Sequence, residues 1–112
     1  MMVKTMSSPF GGKTRTRTLV ALNLLGSSFP RELSRLLAAP VSAVSRALDG
    51  LGRDALVAGR LTGRTRVFTL NPAYFAKREL AAYLTRLADA DTDLVTQIEA
   101  LRRRPRRSGK PL

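Results

Sequence analysis

Leu19, Leu22 and Leu25, joined by Val20 and Ala21, recur at the step that keeps apolar side chains on one face of a helix, and the run stops at Gly26. A first helix is therefore predicted over 13–25. Leu33, Leu36 and Leu37 form a second, narrower stripe. Pro30 suits its first position, Glu32 faces the positive end of the helix dipole in its first turn, and Pro40 ends it near Ala39. Val44, Ala47, Leu48 and Leu51 mark a third helix, closed by Gly52, whose other face carries Ser42, Ser45, Arg46 and Asp49.

After Leu56 the period changes to two. Leu56–Arg60 and Thr65–Leu70 read as strands, with Phe68 and Leu70 on one side of the second and Val67 and Thr69 on the other. Leu61, Thr62, Gly63 and Arg64 lie between them as a basic hairpin tip, and Asn71-Pro72 ends the pair. Helical spacing then returns. Leu80, Leu84, Leu87, Asp91, Leu94, Ile98 and Leu101 alternate by four and three residues, the seam of a coiled coil with one polar slot. One helix over 73–103 would be about 45 Å long. A domain this small could not cover it, so a second copy of the chain is expected along Leu80, Leu84, Leu87, Leu94, Ile98 and Leu101, giving a homodimer. The place for a kink is 89–93, where Asp89, Asp91, Thr92 and Asp93 cluster. Residues 1–12 are expected to form a flexible lead-in with Phe10 as the first core anchor, and 104–112 a disordered basic tail.

Composition narrows the chemistry. A chain of 112 residues, 44% apolar, makes one compact unit with appendages. It has neither Cys nor His, which removes thiolate and imidazole metal sites and the usual nucleophile and base pairs, so no enzyme, cofactor or metal is expected. No stretch approaches the ~20 apolar residues of a membrane span, and the N-terminus lacks the apolar run of a signal peptide, so a cytoplasmic protein without a membrane partner is expected. The net charge of +12 points to an anionic partner. Residues 1–72 hold 11 Lys/Arg against 3 Asp/Glu, 73–101 hold 3 against 5, and 102–112 hold 6 against none. The mildly acidic middle segment suits packing against protein better than against phosphate.

Two short helices joined by a tight turn, each too small to be stable alone, are expected to form a helix-turn-helix. The stretch PRELSRLLAAPVSAVSRALDGLGRDALV (30–57), followed by GRLTGRTRVFTLNP (59–72), resembles the winged helix-turn-helix of ArsR-like and MarR-like bacterial regulators. The resemblance covers roughly 13–72; VSAVSRALDGL resembles the recognition helix and GRTRVFTLNP the wing and exit strand. It implies a mostly α fold with a small β-hairpin, a winged helix-turn-helix over 13–72 and a long C-terminal dimerisation helix over 73–103. It also implies sequence-specific binding of double-stranded DNA by a homodimeric transcriptional regulator, a repressor that occludes a promoter in the cytoplasm, at the nucleoid. Two departures stand out. Ala38, Ala39 and Pro40 occupy a turn that usually carries Gly, which predicts a tilted turn, and the Cys and His clusters of metal-sensing relatives are absent.

The chemistry of the proposed contacts follows from the major groove, which admits one helix. Ser42 and Ser45 can bond base edges or phosphates, Arg46 can reach a guanine or a phosphate, and Val41 or Ala43 can touch a thymine methyl. Arg60, Arg64 and Arg66 of the wing suit the backbone or a narrow minor groove. Lys13, Arg15 and Arg17 can grip phosphates, which position without specifying. Asp49 would be repelled by phosphate and is expected to pair with Arg53 or Arg46, ahead of the alternative that it accepts from a cytosine amine. Asp89, Asp91 and Asp93 could in principle hold a divalent cation, but a helix start or kink accounts for them more simply. Two other readings fit the same features: a DNA-coating protein of replication, plasmid or chromosome organisation, and a winged-helix adaptor that binds protein.

Overall fold

The computed structural model describes residues 8–103, beginning with a short turn that brings Phe10 against the hydrophobic core. Part of the expected 1–12 lead-in is thus tied down; residues 1–7 and the tail 104–112 lie outside the described residues. Five helices and one hairpin follow: α1 (Lys13–Leu25), α2 (Pro30–Leu37), α3 (Val41–Arg53), β1 (Val57–Thr62), β2 (Thr65–Leu70), α4 (Lys77–Ala88) and α5 (Thr92–Arg103).

Helix α1 is the central rod. Thr16, Thr18, Leu19, Val20, Ala21 and Leu22 are all buried, because α2, α3, α4, α5 and β2 each pack against it. Gly26 ends it at φ 89°, and its N–H bonds the Leu22 carbonyl at 2.8 Å. Residues 27–29 then run beside β2. Ser28 N–H donates to the Phe68 carbonyl at 3.0 Å and Phe68 N–H to the Ser28 carbonyl at 2.8 Å, which anchors the wing to the start of α2.

The turn between α2 and α3 does without glycine. Ala38 itself takes the left-handed conformation, φ 53° and ψ 45°, and its N–H bonds the Arg35 carbonyl while Ala39 N–H bonds that of Ser34. The Ser34 hydroxyl closes the turn by donating to the Ala39 carbonyl at 2.6 Å. The buried stripes of the two helices, Leu33, Leu36 and Leu37 on α2 and Val44, Ala47, Leu48 and Leu51 on α3, are those the spacing predicted.

The hairpin is longer in strand and tighter in turn than expected. Pairing runs from Val57 opposite Leu70 to Thr62 opposite Thr65, so Leu61 and Thr62 belong to β1 and only Gly63 and Arg64 turn, with Gly63 at φ 66°. Asn71 ties its base: its N–H bonds the Leu56 carbonyl and its side-chain amide the Ala55 carbonyl, at 2.9 and 3.0 Å.

The C-terminal segment departs most from expectation. In place of one helix over 73–103 there are two of twelve residues, broken at Asp89–Asp91, and α5 packs back on α1, α2 and α4. Leu80 and Leu84 of α4 and Leu94 and Ile98 of α5 therefore join the core of Leu19, Val20 and Leu22, and these four seam residues are buried within one chain. Leu87 and Leu101 stay half-buried at its edge. The physical reason lies in the seam's polar slot. Asp91 meets Arg17 of α1, Nε to Oδ2 at 2.7 Å, and its Oδ1 accepts the Leu94 N–H at 3.3 Å as a cap for α5. The carboxylate thus finds a cation and a helix start inside the same chain.

Candidate nucleic-acid interface

On α3 the residues that stay exposed are Val41, Ser42, Arg46, Asp49, Gly52 and Arg53, while Ala43 and Ser45 are half-buried. Ser42, Arg46, Asp49 and Arg53 follow steps of four, three and four, which stacks them in one outward stripe. The apolar stripe opposite is fully packed, so α3 is held by its back and offers only this polar face. The arrangement can donate hydrogen bonds from Ser42 and Arg46 to an anionic, acceptor-rich surface.

The wing stands beside this face. Its strands alternate, so its three arginines are not equivalent. Arg66 shares a side with Phe68 and lies over that ring, with the guanidinium carbon 5.3 Å from the ring centre. Arg60 pairs across the hairpin with Val67 and so points to the opposite side. Arg64 is in the turn itself. All three are exposed. Gly59, opposite Phe68, makes this packing feasible: a Cβ there would stand 2.7 Å from the Phe68 ring and 3.2 Å from Arg66 Nη2.

Of the three basic residues at the start of α1, Lys13 alone is exposed. Arg17, expected as a phosphate contact, is a structural cation: its side chain is 15% exposed and is held by Asp91 and by the Leu37 carbonyl at 3.1 Å. Arg15 is also engaged within the fold. Its Nε donates to the Phe10 carbonyl at 2.6 Å and its Nη2 to Asp54 at 2.7 Å. Gly50 accommodates that guanidinium, since a Cβ at 50 would fall 2.3 Å from Arg15 Nη1. Asp49 forms neither of the expected pairs: among the described residues the acidic partners in ion pairs are Asp54, Asp91 and Asp89, the last with Arg86. Asp89 and Asp91 are thus used in ion pairs, and among the described residues no three His, Cys, Asp or Glu gather to hold a metal ion. No helix of the described residues is long and apolar enough to cross a membrane.

Sequence reasoning grouped Arg60, Arg64 and Arg66 as one basic patch and missed the separate setting of Arg66. The signal was present in the two-residue period of β2, which places 66 and 68 on one side. The role of Gly50 had no such signal, since it depends on Arg15 of α1, far away in sequence, and that of Gly59 depends on the hairpin register that sets it opposite Phe68.

Helix, helix-turn-helix and a two-stranded wing packed on a common core define the winged helix-turn-helix class. Solved structures of similar fold agree. A point mutant of Lactococcus lactis ZitR has a TM-score of 0.61 at 16% identity, covering 90% of this chain and 66% of that one. The Streptococcus pyogenes adhesin competence repressor AdcR has 0.58 at 18%, covering 78% and 64%. Wild-type ZitR in complex with DNA has 0.59 at 13%, covering 90% and 67%. The chain spans just under two thirds of the length of the AdcR chain and of the ZitR point mutant. No protein-family model and no curated relative matches it.

Proposed function

We propose that this protein binds double-stranded DNA, with α3 in the major groove and the wing on the adjoining backbone or minor groove, and that it acts as a homodimeric transcriptional repressor. The observation that carries this reading is the exposed stripe Ser42–Arg46–Asp49–Arg53 standing beside a wing with three exposed arginines, on a fold like that of ZitR, which has been solved in complex with DNA. Val41, Ser42, Ala43, Ser45 and Arg46 face or flank the groove floor. Arg60, Arg64 and Lys13 hold phosphates; Arg15 and Arg17 leave this set because they are bound within the fold.

Dimerisation is reassigned in part. Leu80, Leu84, Leu94 and Ile98 serve the core of one chain, so pairing falls to what α4 and α5 leave outside: Leu87 and Leu101 at the core's edge, exposed Tyr83, and Phe75 just before α4. With 3 Lys/Arg against 5 Asp/Glu over 73–101, two such surfaces meet without strong like-charge repulsion.

The test is selection of bound duplexes from a random pool, followed by titration at ~50 and ~200 mM salt. A short palindrome should emerge, and affinity should fall steeply with salt. Arg46→Ala should relax one base position, whereas Arg64→Ala should weaken all sequences alike and lower the salt slope by about one. The 6 Lys/Arg of 102–112 favour the DNA-coating reading as a rival. Uniform protection without a preferred site would decide for that rival, and no binding at ~50 mM salt would decide for a protein adaptor.

A further inference from the structure

Asp49 is the anomaly of the proposed DNA face. Among the described residues it has no ion pair, although it shares its stripe with Arg46 and Arg53, on a surface that the proposed DNA binding brings close to phosphates. Its setting gives it a use. Between α3 and β2 lies a cleft of about 110 Å³ lined by Pro30, Ser45, Leu48, Asp49, Arg66 and Phe68. Leu48 and Phe68 are buried and form an apolar floor. Asp49 and Arg66 contribute the two charges of the lining, from opposite elements, and they form no ion pair with each other.

The two side chains are unequal in freedom. Arg66 lies across the Phe68 ring, and that ring is fixed in turn by burial, by Gly59 beneath it and by two backbone bonds to Ser28. A long side chain held on such a platform loses little further entropy when it binds, which is what base reading needs and a mobile phosphate contact does not. A carboxylate lining the same cleft also disfavours a phosphate there. On the major-groove edge of a G·C pair, guanine offers the acceptors O6 and N7, and the neighbouring cytosine offers its N4 amine as a donor. A fork of donors beside a single acceptor group complements that edge.

Resting on the DNA-binding reading, we propose that Asp49 and Arg66 together read one G·C base pair of the target. Arg66 donates both bonds to guanine, Asp49 accepts from cytosine, and Arg60 and Arg64 keep the phosphate role. The wing thereby contributes a specificity-determining residue from the side of β2 that faces α3, one pair in from the turn, with Arg60 and Arg64 left to the backbone.

Random-pool selection with the full chain tests this, comparing wild type with Arg66→Ala, Arg66→Lys, Asp49→Ala and Asp49→Asn. Wild type should select sites with a fixed G·C pair at one position of each half-site. Arg66→Ala and Arg66→Lys should both lose that preference, with a loss of about ten- to a hundredfold on the selected site, because lysine keeps the charge without the fork. Asp49→Ala and Asp49→Asn should relax the same position while binding unrelated duplex at least as well as wild type, since a phosphate-repelling charge has gone. Circular dichroism spectra checked against wild type keep unfolding from being read as lost preference, and the conservative Lys and Asn variants serve if either alanine variant is unfolded. If wild type selects a motif and the variants keep its G·C preference, or the two residues govern different positions, this proposal is overturned alone. If wild type binds no duplex at ~50 mM salt, it falls together with the DNA-binding reading.

Discussion

At the scale of single residues, two backbone positions set clear expectations. Gly59 is open only because the Phe68 ring and Arg66 occupy the space a Cβ would take, and Phe68 is pinned to Ser28 by two backbone bonds, so it cannot easily retreat. Gly59→Ala should destabilise the fold by about 1–3 kcal/mol, as overpacking does, seen as a lower urea midpoint with an unchanged slope. Ala38 presents the opposite case. It holds φ 53° in the turn between α2 and α3, a conformation that carries a steric cost for any residue with a Cβ. Ala38→Gly removes that cost and incurs part of it again through the greater freedom of glycine in the unfolded chain. A net gain of about 0.5–1 kcal/mol is expected in the same denaturation measurement. A loss would mean that the turn, as observed, is unstrained for alanine.

At the scale of elements, the Arg17–Asp91 pair decides how the C-terminal half is folded. The pair is 15% and 11% exposed, bonds the carbonyl that ends α2 and caps α5, so one contact joins three elements. Asp91→Asn keeps a capping side chain but strands a largely buried guanidinium, and should cost about 3 kcal/mol. Arg17→Met should cost a similar amount by leaving the carboxylate alone, whereas the double variant should recover much of the loss. Urea denaturation of all four proteins gives the coupling; simple additivity would show that the two residues are not partners. This pair also explains what the sequence could and could not reveal. Helices α1 to α3 and the hairpin were legible because each carries its own period, and α1, α2 and the hairpin their own stop at Gly26, Pro40 and Asn71-Pro72; α3 runs through its expected stop at Gly52 to Arg53. The heptad spacing from Leu80 to Leu101 was equally regular, but a period states only which residues share a face. Whether that face meets a second chain or the first helix of its own depends on where Asp91 finds a cation, and Arg17 lies 74 residues away. Arg15 was hidden in the same way, since its partner Asp54 is 39 residues distant.

At the scale of the whole molecule, folding α5 back on the core changes what a dimer can be made of and allows it to be tested. Had the seam been a free coiled coil, charged substitutions anywhere along it would have had one effect, the release of folded monomers. In the observed fold the effect divides by position. Leu94 is 0% exposed in the single chain, so Leu94→Glu buries an unpaired charge in the common core and should unfold the protein, with loss of the helical circular dichroism signal. Tyr83 is 44% exposed on the outer side of α4, and Leu87 is only half-buried. Tyr83→Glu, and Leu87→Glu with some loss of stability, should leave the helices intact and yield monomers in sedimentation velocity. On the proposed function each monomer would carry one recognition face, so such a variant should bind a half-site as weakly as a full palindrome, whereas wild type should lose most of its affinity when one half-site is scrambled. Folded Tyr83→Glu and Leu87→Glu proteins that sediment as wild-type dimers would move the interface away from α4 altogether. An unfolded Leu94→Glu beside them would still place the leucine seam inside the chain.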